Sequence, residues 1–288
     1  MRRFANWIVS RTPLNSELPF QVMYDIEMHR ASEEFARCWS AAGQHIQTQA
    51  QGPLHSWLRV DLSPPFLEHL SFRLGNQLFF IRIEDVEGQL EVPGSRKGLQ
   101  SIAEGCKGHA CLMPMGRRGG TWAPDASGWG LLDAKTGMPN DPVALLTDER
   151  IEMTDWELHD FAVQVVRGEL QKDGKELMSW TGDPRVDPAI WYVGDTGPEW
   201  VIVRAARHPA PKENLPAHWK QIAEHCTRLG KEGTFLWVSV ANAHDAFDPS
   251  GAVASETLWR GHKMFVKFEG LVTWPAGSTS PRPPCFNL

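Results

Sequence analysis

The sequence predicts an α/β (α+β) protein built on mixed sheet with flanking helices. Three observations carry that prediction. Stretches with helical spacing, such as Phe35, Cys38, Trp39 and Ala42, alternate with short strand-like runs. The runs are separated by clusters of Gly, Pro, Asn and Asp, as in "KTGMPNDP" and "TGDPRVD". Finally, "TFLWVSVANA" is a near-continuous apolar run, the pattern of a strand covered on both faces. A chain of 288 residues, 42% hydrophobic and 22% charged, is folded and long enough for two domains.

The elements follow in order. Two apolar segments, "WIVS" and "FQVMYDIEM", precede a helix opened by Ser32, and "SWLRVDL" reads as a strand ended by Pro64 and Pro65. "FRLGNQLFFIRIEDV" predicts a hairpin turning at Gly75-Asn76. Along its second arm Phe79, Ile81 and Ile83 face a core, and Arg82 and Glu84 face away. Ser95 is placed to cap a helix over "SRKGLQSIAEGC", and the strands "ACLMPM" and "WGLLDA" come next. A domain boundary is expected near residue 150, giving an α+β N-terminal domain over residues 1–150.

Beyond it, Thr154 and Glu157 have the spacing of a capping box, and Leu158, Phe161, Ala162, Val165 and Val166 form an apolar stripe that stops at Gly174. Three strands, "ELMSW", "PAIWYV" and "EWVIVRAA", lead to a helix over "LPAHWKQIAEHCTRLG" and then to the apolar strand "TFLWVSVANA". A strand pair over "LWRGHKMFVKFEGLVTW" closes a second domain at 151–274, and a Pro/Ser-rich tail occupies 275–288. No internal repeat is visible in the sequence.

Composition narrows the function classes. Formal net charge is −6 and the longest basic cluster is "GRRGG". Tight hold on DNA would require the few cations to be gathered on one face. The N-terminal apolar run is too short for a signal peptide, and no stretch approaches the roughly 18 apolar residues of a membrane span. Five cysteines at irregular spacing do not make a disulfide framework, so reduced thiols and a cytoplasmic location are expected. Cys106, His109 and Cys111 stand close together, but zinc takes four ligands and no second pair completes the set, which leaves buried thiols beside a strand start as the reading. Thirteen Trp against two Tyr mostly end apolar runs, as core-filling residues do. There is no GxGxxG, GxxxxGK[ST] or GxSxG. His159-Asp160 and His244-Asp245 are neighbouring acid/base types, although adjacent helical residues point apart.

The stretch "PDASGWGLLDAK" spells Pro-Asp, a spacer and Asp-Ala-Lys. The second domain runs helix, three strands, helix, strand. Together these resemble the PD-(D/E)XK restriction-endonuclease-like superfamily. The resemblance implies two acids on adjacent strands holding Mg²⁺ beside a scissile phosphate, with a Lys orienting the attacking water. Carried onto the second domain, it puts Asp187 at the start of the second strand and Glu157 on the first helix as metal ligands. Arg204 stands on the third strand, able to contact a phosphate, where the family has an acid and a lysine. A second frame, shifted toward the N-terminus, would place Asp125 and Asp133 as ligands across a hairpin centred on Trp129, with Lys135 on the same face. Two functions follow from the resemblance. One is a non-catalytic or degenerate nuclease-fold subunit that binds a protein or nucleic-acid partner; the other is an active Mg²⁺-dependent nuclease.

Overall fold

In the computed structural model the described residues are 32–50, 69–195, 197–209, 219–230, 232–244, 247 and 256–274, with the backbone alone for 269–274. The expected segments "WIVS", "FQVMYDIEM" and "SWLRVDL", and the tail at 275–288, lie outside the described residues. The chain divides into two compact units, one spanning His29–Thr154 and the other Asp155–Leu288 together with Met1–Met28. Helices and two mixed sheets make this an α+β protein. No helix among the described residues is long and apolar enough to cross a membrane.

In the His29–Thr154 unit, α1 (Glu33–Gln49) starts where the Ser32 side chain accepts the Phe35 N–H at 3.0 Å. Its apolar face, Phe35, Cys38, Trp39, Ala42 and Ile46, is buried. Strands β1 (Leu70–Leu74) and β2 (Gln77–Asp85) pair antiparallel through the turn at Gly75-Asn76, where Gly75 has a φ of +54°. Phe79, Ile81 and Ile83 join the α1 core as their alternation predicts. Helix α2 (Arg96–Gly105), capped by Ser95, crosses to β3 (His109–Arg118), which lies parallel to β2. Strands β4 (Thr121–Pro124) and β5 (Leu132–Asp133) both pair antiparallel with β3.

The second unit opens with α3 (Asp155–Lys172). Strands β6 (Glu176–Trp180), β7 (Ile190–Val193) and β8 (Pro198–Arg207) follow as an antiparallel meander. Helix α4 (Trp219–Cys226) crosses to β9 (Glu232–Asn242), parallel to β8, and β10 (Met264–Trp274) returns antiparallel. The sheet order is β10-β9-β8-β7-β6. After its first residue β9 is buried throughout, as an apolar run without alternation demands. One sheet face packs Trp200, Ile202, Phe235 and Trp237 against Ile222, Ala223 and Cys226 of α4. Gly233 sits opposite Trp200, and a Cβ there would lie 1.9 Å from the indole.

The two units share an order of elements that the sequence did not reveal. In each, a helix precedes an antiparallel strand pair, a crossover helix follows, and a parallel strand then pairs with a further antiparallel strand. The neighbours β1-β2-β3-β4 therefore correspond to β7-β8-β9-β10. The repeat lies in topology, with different residues filling each core.

Candidate functional site

The stretch "PDASGWGLLDAK" does not form the expected hairpin. Strands β4 and β5 lie end to end along one edge of β3, with Pro124 opposite Met115 and Asp133 opposite Cys111. The Asp125 N–H donates to the Pro114 carbonyl at 2.8 Å, three positions along β3 from Cys111. At the rise of a strand, that separates Asp125 from Asp133 by about 10 Å along the sheet edge. The cause is the spacer. Gly128 and Gly130 take φ of +65° and +69°, and Trp129 turns inward to stack on Phe72 with centroids 5.8 Å apart. His45 of α1 holds the Gly128 carbonyl at 3.0 Å. The stretch plugs the α1 core instead of pairing with itself.

Each motif side chain is engaged locally. Asp125 lies 3.7 Å from Arg118 with 62% of its side chain exposed. Asp133 Oδ1 accepts the N–H groups of Thr136 at 2.8 Å and Lys135 at 3.0 Å, and these bonds hold its carboxyl below the usual carboxylate range. Lys135 Nζ reaches Glu104 at 2.9 Å. The helix expected to begin this frame is the crossover α2. Nearby, Cys106 and Cys111 are buried, and burial pushes the Cys111 thiol up to about 12. His109 stacks on Phe79 and bonds Gln77 at 3.1 Å. Among the described residues, no three of His, Cys, Asp and Glu are grouped to hold a metal ion.

In the second unit the polar groups converge at one end of the sheet, where the first turn of α3 meets the loop from Thr181 to Pro188. Ile190 pairs with Val201, and each step back along β7 is one step forward along β8, so Asp187 falls opposite Arg204. The guanidinium grips both carboxylate oxygens, Nη1 to Oδ1 at 2.8 Å and Nη2 to Oδ2. Glu157 is held the same way by Arg260, at 2.8 and 2.9 Å. Both acids that the resemblance would assign to metal are thus bound by arginine.

Beside the Asp187–Arg204 pair lies His159, 5% exposed, with no hydrogen-bond partner for Nε2. Burial, reinforced by Arg204 and opposed by Asp187, Asp160 and Asp183, pulls its pKa down to about 4. Asp160 is buried beside it, packed so closely on Gly182 that a Cβ there would come within 1.9 Å of Oδ1. Asp183 binds Arg185 at 2.6 Å, and that guanidinium lies 4.6 Å above the Trp156 ring. The expected apolar stripe of α3 needs correction: Leu158, Ala162 and Val166 are buried, but Phe161 and Val165 are only half-buried while Val163 is buried. Glu157, Leu158, His159 and Asp160 are buried in succession, because the loop and Arg260 cover what would otherwise be the wet side of the helix.

Sequence reasoning missed Arg260, which lies 103 residues from Glu157 with no local signal of the pairing. The burial of His159 was missed for the same reason, since the loop at 181–188 that covers it is more than twenty residues on. The Asp183–Arg185 pair, two residues apart, was legible and was not read. The Asp187–Arg204 pair was within reach, since both residues were named and only the register was lacking.

Residues 156–274, from the first turn of α3 to the end of β10, match the model of a family described as a domain of unknown function, DUF8840. Neither a curated protein nor a solved structure matches the chain.

Proposed function

We propose that this chain is a non-catalytic binding protein whose C-terminal unit keeps a nuclease-like order of elements without nuclease chemistry. The observation that carries the reading is the bidentate pair of Asp187 with Arg204, at the strand position where the resemblance calls for a metal-binding acid. Both oxygens of Asp187 are directed at the guanidinium, so a divalent ion chelated by both would displace it and leave a largely buried arginine without its counter-charge. Glu157, the other acid of that frame, is under the same constraint from Arg260.

A protein partner fits better than nucleic acid. Net charge is −6, and many of the surface cations already face acids: Arg96 with Glu84, Arg117 with Glu34, Lys172 with Glu169, and Lys175 with Asp195. Those pairs would have to open before these cations could meet phosphates.

The test is incubation of the full chain with single- and double-stranded DNA and with RNA, in Mg²⁺ and in Mn²⁺. No cleavage above a protein-free control is expected, and calorimetric titration should detect no stoichiometric Mg²⁺ binding. Cleavage lost on Asp133→Ala or Asp187→Ala would overturn the reading in favour of an active Mg²⁺-dependent nuclease.

A further inference from the structure

The segment from Met138 to Glu149, in the His29–Thr154 unit, presents apolar side chains to solvent on a fixed backbone. Met138 is 64% exposed, Val143 54% and Leu146 39%, three large apolar groups within nine residues. Single exposed apolar residues are ordinary; three on one short segment are not.

The backbone under them is held throughout. Asp133 N–H donates to the Met138 carbonyl at 2.8 Å, and Asn140 N–H to the Leu131 carbonyl at 2.8 Å. Asp141 Oδ1 accepts the Val143 N–H at 3.0 Å, opening the 3-10 turn Val143–Leu145. At the far end Asn76 Nδ2 donates to Thr147 Oγ1 at 2.7 Å and to the Glu149 carbonyl at 2.9 Å. A surface ordered before it meets a partner does not give up backbone entropy on binding.

The charge on this segment says what it would meet. Asp141, Asp148 and Glu149 are exposed, and across residues 138–150 these three acids stand against one cation, the exposed Arg150. A second copy of the same surface would be repelled, and so would a nucleic-acid backbone.

We infer that residues 138–149 form a docking surface for a protein segment in which lysines or arginines are interleaved with apolar side chains. Met138, Val143 and Leu146 supply the apolar contact, and the three acids select the basic partner. The inference rests on the binding-protein reading above and names the chemistry of its partner.

The test uses the full chain and three labelled 15-residue peptides, built from Lys and Leu, Lys and Ser, or Glu and Leu, with binding followed by fluorescence anisotropy. The Lys/Leu peptide should bind at least ten-fold more tightly than the other two, and amide exchange at 138–149 should slow in the complex. Two double variants remove the features separately. Met138→Ser with Val143→Ser, and Asp148→Lys with Glu149→Lys, alter exposed side chains only, and each should weaken Lys/Leu binding ten-fold or more. Failure of the Lys/Leu peptide to bind would overturn the inference, as would equal binding of the Lys/Ser peptide or wild-type affinity in both variants. A negative peptide result with no Mg²⁺-dependent cleavage removes this surface alone, whereas cleavage removes the binding-protein reading itself.

Discussion

The guanidinium of Arg260 closes on the carboxylate of Glu157 across 103 residues of chain, at 2.8 and 2.9 Å, with the two side chains 1% and 2% exposed. It ties the segment between β9 and β10 to the first turn of α3. Losing one partner strands the other charge away from water, which costs about 3–5 kcal/mol. Arg260→Ala and Glu157→Ala should each lower stability by that order in urea unfolding. The double variant Glu157→Leu/Arg260→Met should recover most of the loss, because removing both charges also removes their desolvation penalty. A double variant no more stable than either single one would refute this account.

His159 makes stability depend on pH. Its folded pKa, about 4, is below the ordinary 6.5, so the unfolded chain takes up this proton first. The contribution is fully present above pH 6.5 and is lost as pH falls from there toward 4. Across that window it amounts to at most about 3 kcal/mol, from 1.36 kcal/mol for each pH unit. Unfolding free energy measured between pH 7 and pH 4 should fall more steeply in the wild type than in His159→Leu. Parallel curves would show that His159 does not carry the effect.

Gly233 is required by Trp200, its cross-strand neighbour, whose ring fills the space of a side chain. Gly233→Ala forces the indole or the strand to move, and overpacking of this kind costs roughly 1–3 kcal/mol. Trp200→Leu alone also destabilises, but adding Gly233→Ala to it should cost less than Gly233→Ala costs the wild type. Strict additivity in the double-mutant cycle would place the strain elsewhere.

Val238 lies at the centre of β9 with no exposed surface. Val238→Asp puts an unpaired charge into that layer, a penalty of several kcal/mol that is comparable to the whole stability of a domain. Loss of the cooperative unfolding transition is expected. A folded variant with an Asp pKa near its ordinary value would mean that β9 is reached by water.

What the sequence determined by itself is what short range encodes. The hairpin turn at Gly75-Asn76, the caps at Ser32 and Ser95, the alternation of Phe79, Ile81 and Ile83, and the apolar run of β9 each follow from neighbours a few residues apart. Tertiary structure decided the partners of the polar groups. "PDASGWGLLDAK" spells a nuclease motif, yet it is Trp129 stacking on Phe72 and His45 gripping Gly128 that put Asp125 and Asp133 at different places along β3. Asp187 and Glu157 read as ligands until Arg204 and Arg260 reached them through strand register and a contact across 103 residues of chain. The shared order of elements in the two units was hidden for a related reason, since many different sets of apolar side chains fill equivalent layers. Apolar periodicity repeats every two or 3.6 residues and is written locally. The pairing of one charge with another depends on where two distant segments meet, and no residue spacing records that.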